Sequence, residues 1–231
     1  MKIFCDSASV SDILSYFNDP MITGFTTNPT LMKKAGITDY FKFASEAVVA
    51  AGDKPISFEV FSTDESEMKR QARLLAKLGK SVFIKITPMN YDGSSLMHVI
   101  KELSNEGIQL NVTAVFTLDQ VKEIAECLDP TTKSIISIFS GRIADAGVDP
   151  EGIVMNARRM CDSVSKDWEI LWASPREVFN IIQAERSGAH IITATPDILA
   201  KRKLFGKDLT EYSLETTRMF INDARAAGYT L

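Results

Sequence analysis

Ser81-Val-Phe-Ile-Lys-Ile86, a helical pattern over residues 94–106 that stops at Gly107, and then Leu110-Asn-Val-Thr-Ala-Val115 form one strand–helix–strand unit. The first run is apolar without alternation, as expected of a parallel strand covered on both faces. Working outward, the same unit recurs along the whole chain. Short β-rich runs fall at residues 2–5, 24–27, 56–60, 82–86, 110–115, 135–139, 170–173 and 190–195. Amphipathic segments lie between them, at 64–78 behind a Ser62/Thr63 cap, 118–128, 150–164 and 175–187, the last ending at Gly188. Eight such units in 231 residues predict a closed (β/α)8 barrel, the TIM barrel, in preference to an open doubly wound sheet. No glycine-rich nucleotide fingerprint follows the first strand, which argues further against the open sheet. Beyond the eighth strand, residues 197–203 and 209–227 read as helices. The expectation is one domain spanning 1–231, with the last helix docked on the barrel or on a neighbouring subunit.

Composition narrows the function classes. With 26 basic and 30 acidic residues, the chain offers no extended footprint for nucleic acid or a membrane surface. Lys33-Lys34 and Lys201-Arg202-Lys203 read as solvated helix faces or ends. Cys5, Cys127 and Cys161 are far apart and make no CxxC pair, a pattern that suits a reducing cytoplasm. No secretory leader or membrane-length apolar run is apparent. The two histidines, His98 and His190, read as structural, and no metal-ligand spacing appears.

Lys85 interrupts the strand that opened this reading. Burial disfavours an ammonium group, and a neutral amine can attack a carbonyl to form a Schiff base. A lysine that snorkels to solvent or pairs with a carboxylate is the plainer reading. The ends of the other strands change the balance. They carry Asp6, Thr26 with Asn28, Glu59, Thr113, Ser137 followed by Arg142, and Ser174 with Arg176, and in barrel enzymes that rim holds the active site. Singly, Asp6 and Asn28 could cap helices, Thr113 could be an ordinary strand residue, and Glu59 could simply pair with Lys85. Together they describe a Schiff-base site with acid–base carboxylates and an anion clamp.

Gly24-Phe-Thr-Thr-Asn-Pro-Thr-Leu31, Phe83-Ile-Lys-Ile86, Asn111-Val-Thr-Ala-Val-Phe116 and Ile136-Ser-Ile-Phe-Ser-Gly-Arg-Ile143 resemble the transaldolase family, in its short branch. The resemblance runs from Met1 to about Pro196 and weakens after Asp145. It implies a class I aldolase-type barrel without metal or other cofactor, moving a dihydroxyacetone unit between sugar phosphates of the fructose 6-phosphate and sedoheptulose 7-phosphate type. It also implies a homo-oligomer, commonly a pentamer or decamer, with the last helix lying across a neighbour. By position, Lys85 resembles the Schiff-base lysine and Asp6 the general acid/base. Glu59 and Thr113 resemble the pair that holds a water for proton transfer. Thr26, Asn28, Ser137 and Phe139 fall among the substrate-contacting positions, while Arg142, Ser174 and Arg176 fall where the family binds phosphate, Ser174 at an expected helix N-terminus.

In the aldolase members of that branch, the positions of Phe139 and Glu59 carry tyrosine and glutamine. The residues here resemble the transferring members, so transfer is expected over free cleavage. Aldolase-type cleavage, a specialised sugar transaldolase and a decayed, non-catalytic barrel remain the alternatives. Three departures bear on the substrate: Thr87 stands inserted before Pro88, Leu171-Trp-Ala-Ser-Pro-Arg-Glu177 replaces an alanine-rich approach to the phosphate arginine, and 194–200 has an unfamiliar texture. Trp172 could point outward or narrow the site.

Overall fold

The structure, a computed structural model, describes residues 1–230. Eight parallel strands, β1 Lys2–Asp6, β2 Ile22–Thr26, β3 Ile56–Glu59, β4 Val82–Ile86, β5 Leu110–Val115, β6 Ser134–Ile138, β7 Trp168–Trp172 and β8 Ile191–Ala194, close into a barrel in sequence order. Closure is made by β1 pairing with β8. The helices are α1 Val10–Phe17, α2 Pro29–Lys34, α3 Tyr40–Ala51, α4 Glu65–Ala76, α5 Met97–Asn105, α6 Leu118–Cys127, α7 Ser140–Asp145, α8 Glu151–Asp162, α9 Asn180–Arg186, α10 Pro196–Ala200 and α11 Leu209–Ala226. The expected TIM barrel and the additional C-terminal helix are both present. The chain forms two compact units, one of residues Met1–Leu199 and the other from Ala200 onward; α11 begins with Asp208 capping the Glu211 N–H at 2.8 Å. No helix among the described residues is long and apolar enough to cross a membrane.

The apolar side chains sort by strand parity into two cores. Outward-facing residues such as Ile3, Cys5, Phe25, Phe58, Ile84, Ile86, Ile136 and Ile170 join the inner faces of the helices in the larger cluster. Phe4, Phe83, Ile135, Leu171 and Ile191 form a small separate cluster inside the barrel, so its lower half is a packed plug. Gly24 belongs to that plug, because a Cβ there would lie 2.5 Å from the Phe4 ring. Trp172 joins the outer cluster, with only 1% of its surface exposed; it points away from the mouth.

Several boundaries differ from expectation for local reasons. Helix α4 is capped by Asp64, whose Oδ1 accepts from the Glu67 N–H at 2.8 Å, whereas Ser62 accepts from Asp64 itself at 3.0 Å. Residues 94–96 are outside α5, since Met89 and Ser95 form an isolated antiparallel bridge across a turn at Gly93. Residues 175–179 are not helical: Asn180 Oδ1 accepts from the Arg176 and Glu177 N–H groups at 2.7 and 3.1 Å, holding a turn ahead of α9. His190 is structural as expected. Its Nδ1 accepts from the Ile170 N–H at 2.9 Å, tying β7 at the bottom of the barrel.

Candidate active site

Strand β4 brings Lys85 into the upper half of the barrel, two residues above Phe83 and facing the same way. Its side chain is 8% exposed. Nζ donates to the Thr27 carbonyl at 2.8 Å and lies 3.3 Å from Glu59 Oε2. The Glu59–Lys85 pairing follows from the β3–β4 register, which sets these two residues side by side. The plainer expectation for Glu59, that it pairs with Lys85, is therefore met within the site.

Asp6 ends β1, and two neighbours fix it. Thr26 Oγ1 donates to Oδ1 at 2.7 Å, and Asn28 Nδ2 donates to Oδ2 at 3.2 Å. Asn28 also caps α2, its Oδ1 accepting from the Leu31 N–H at 2.9 Å, so capping and site contact are one residue's two ends. Burial pushes the Asp6 carboxyl up from its usual range; the Lys85 charge and the hydrogen bonds from Thr26 and Asn28 oppose that rise, and Glu59 adds to it.

A cavity of about 370 Å³ opens over these groups. Of the residues expected from sequence, Asp6, Thr26, Asn28, Glu59, Lys85, Thr113, Ser137, Phe139, Arg142 and Ser174 all line it. Arg176 is not on its wall; its guanidinium pairs with Asp145. Ser174 is not at a helix N-terminus. It lies in the loop between β7 and α9 with φ +59°, and the helix begins only at Asn180. That loop packs directly on α7: a Cβ at Gly141 would meet the Ser174 carbonyl oxygen at 1.6 Å, so only glycine permits the approach that sets Arg142 and Ser174 on one wall.

Asn111, Thr193 and Ser57 were missed as site residues. Asn111 and Thr193 line the cavity, and Asn111 is fully buried, accepting from Ser137 Oγ at 2.6 Å and donating to Ser57 Oγ at 3.1 Å. Thr193 Oγ1 lies 2.6 Å from Thr26 Oγ1. A polar amide in the apolar strand Leu110–Val115 carries the same signal as Lys85, and strand parity would have found it. Thr113 shares the inward face with Asn111 by the same parity, and the irregularity comes just after it: the β5–β6 register shifts between Val112 and Val115, and Ala114 has φ +57°, a bulge that adds Ala114 to the wall. The inserted Thr87 is outside the wall, its hydroxyl donating to the Met89 carbonyl at 2.7 Å. Among the described residues, no three His, Cys, Asp or Glu side chains are grouped to hold a metal ion.

Comparison with known proteins identifies the family. The model of the family described as Transaldolase/Fructose-6-phosphate aldolase matches residues 3–230. A probable transaldolase of Thermoanaerobacter sp. (strain X514) is 36% identical over 228 residues, covering 99% of both chains. One from Methanococcus maripaludis (strain C7) is 34% identical over 215 residues, covering 93% of this chain and 94% of that protein. Among solved structures, a flavocytochrome b2 mutant with benzoylformate superimposes with a TM-score of 0.57 at 13% identity, over 84% of this chain and 56% of that one; this likeness is one of fold. On the family match and these identities, the chain belongs to the transaldolase/fructose-6-phosphate aldolase family.

Proposed function

We propose that this family member is a class I transaldolase, transferring a dihydroxyacetone unit between phosphorylated sugars through a Schiff base on Lys85. The observation that carries the reading is a buried lysine Nζ 3.3 Å from a carboxylate, in a cavity that also holds a second, hydrogen-bonded carboxylate. The neutral amine attacks C2 of the donor ketose. The carbinolamine loses water to give the iminium, with Glu59 and Thr113 handling the protons through a bound water. Asp6 takes the proton of the C4 hydroxyl as the C3–C4 bond breaks, releasing an aldose phosphate, and the electron pair of that bond passes into the enamine. The enamine attacks the acceptor aldehyde, Asp6 returns the proton, and hydrolysis frees Lys85 and the new ketose.

The remaining groups take binding roles. Asn28 and Ser137 contact the dihydroxyacetone hydroxyls, and Thr26 orients Asp6. Arg142 and Ser174 bind the phosphate, where a guanidinium fork matches its oxygens; Arg176, paired with Asp145 off the wall, takes no part. Phe139 lines the cavity with a ring that has no proton to give, so the enamine waits for an aldehyde. This favours transfer over cleavage. In this reading the enzyme works in the cytoplasm as a homo-oligomer, and the exposed Leu214, Met219, Phe220 and Ile221 of α11 supply apolar surface for contact between copies.

The test is product analysis with fructose 6-phosphate, with and without erythrose 4-phosphate, alongside borohydride trapping. Sedoheptulose 7-phosphate should form only with the acceptor, and the reduced adduct should map to Lys85. Lys85→Met should lose both trapping and turnover while the fold persists; retained turnover would sink the mechanism. Glyceraldehyde 3-phosphate and dihydroxyacetone released without acceptor would mean an aldolase instead.

A further inference from the structure

We propose that Tyr40 is a positioning residue for this reaction: its hydroxyl supplies the rung missing from the β2–β3 ladder and thereby holds Glu59 against Lys85. The proposal rests on the reading of Glu59 as a proton-transfer group. The ladder between β2 and β3 runs upward in steps of two. The Phe25 N–H donates to the Pro55 carbonyl at 2.8 Å, and the Thr27 N–H to the Ser57 carbonyl at 3.2 Å. The next step pairs residue 29 with the Glu59 carbonyl. Residue 29 is proline, which has no N–H, and the chain has already turned there into α2. A proline suits the first turn of a helix, so the start of α2 and the top of the ladder make opposite demands on one position.

The Glu59 carbonyl accepts from Tyr40 Oη at 2.7 Å instead. On its other flank β3 is held by β4, where the Val60 N–H donates to the Lys85 carbonyl at 3.0 Å. Glu59 therefore stands between a backbone rung on the lysine side and a phenol on the β2 side. Tyr40 is itself fixed as the first residue of α3, where Asp39 caps the Lys42 N–H at 2.9 Å. Its ring packs edge-on against Phe61 at 5.2 Å between centroids. Burial pushes the phenol above its ordinary range, so it stays protonated and a donor. A phenylalanine would fill the same space and lack only the hydrogen bond.

Tyr40→Phe isolates that bond. With saturating fructose 6-phosphate and erythrose 4-phosphate, kcat and the initial rate of borohydride inactivation should fall about tenfold, since small misplacements of a catalytic group cost that much or more. KM for the donor should stay within about twofold, and in a Glu59→Ala background the same substitution should change the inactivation rate by less than about twofold, the limit for uncoupled sites. A lost fold would show in the thermal midpoint. An adduct on Lys85 of the wild-type enzyme together with an unchanged kcat in Tyr40→Phe overturns this proposal alone, as does an equal loss in both backgrounds. No adduct in the wild-type enzyme overturns the parent reading, and this one with it.

Discussion

The lower and upper halves of the barrel interior are built by the same strands, two residues apart, and are chemical opposites. Phe4 lies below Asp6, Phe83 below Lys85, Ile135 below Ser137 and Ile191 below Thr193. The lower side chains need only shape. Above them, each polar group costs desolvation unless it is paired, and the pairing is dense: Thr26 with Thr193 and Asp6, Asn28 with Asp6, Lys85 with Thr27 and Glu59, Ser137 with Asn111. The difference teaches where stability and chemistry reside. Substitutions in the plug should act on the folded fraction, and substitutions in the network on rate.

Asp6→Asn should divide the two halves most sharply. The variant should lose about 10² to 10⁴ in kcat, the usual contribution of a positioned acid/base, while Lys85 remains trappable with donor. Its stability should also respond to pH differently. The folded-state value of Asp6 lies above its ordinary 3.8, so the folded chain holds this proton more tightly than the unfolded one. Acid therefore favours the wild-type fold, and that contribution declines as pH rises through 3.8 towards the folded value, then levels off. Asparagine has no such dependence. The stability of the variant relative to wild type should rise across that window in denaturant titrations; a flat difference would mean that Asp6 is not strained by its burial.

Ile191→Ala tests the other half. Removing a fully buried side chain should cost about 2–5 kcal/mol, read as a lower denaturation midpoint. Below that midpoint, kcat/KM should stay within about twofold, as for sites that do not couple. A large kinetic loss without a stability loss would break the comparison, because the plug would then be shaping the network above it.

The division also explains what could be read from sequence. Apolar runs such as 82–86 fix strand positions, and a lysine or a carboxylate at the top of such a run stands out against its neighbours. Helix starts were less legible. The Asn180 side chain holds Arg176 and Glu177 in a turn, and nothing in local propensity signals that the pattern from 175 begins helically only at 180. Ser174 was misplaced for the same reason. Asn111 has no role legible in its motif, since an asparagine in a strand is chemically ambiguous until Ser57 and Ser137 are known to face it. Tyr40 was invisible because its partner is a backbone carbonyl, and only the register reveals that Pro29 leaves that carbonyl without a strand donor.

The smallest effect expected is at Ala114, where the upper half departs from regular strand geometry. Its φ of +57° sits in the left-handed region, which costs an L-residue about 1–2 kcal/mol. Glycine removes that cost but loses about 0.5–1 kcal/mol in unfolded-chain entropy. Ala114→Gly should therefore stabilise the protein by about 0.5–1 kcal/mol at most, with kcat unchanged, because the bulge is preserved and Thr113 faces the cavity by its parity with Asn111. Ala114→Val should do the reverse, since a β-branched residue resists this conformation. A glycine variant that is more stable but slower would assign the Ala114 methyl, which lines the cavity, a part in seating the substrate, and the backbone strain would then be the means of presenting it.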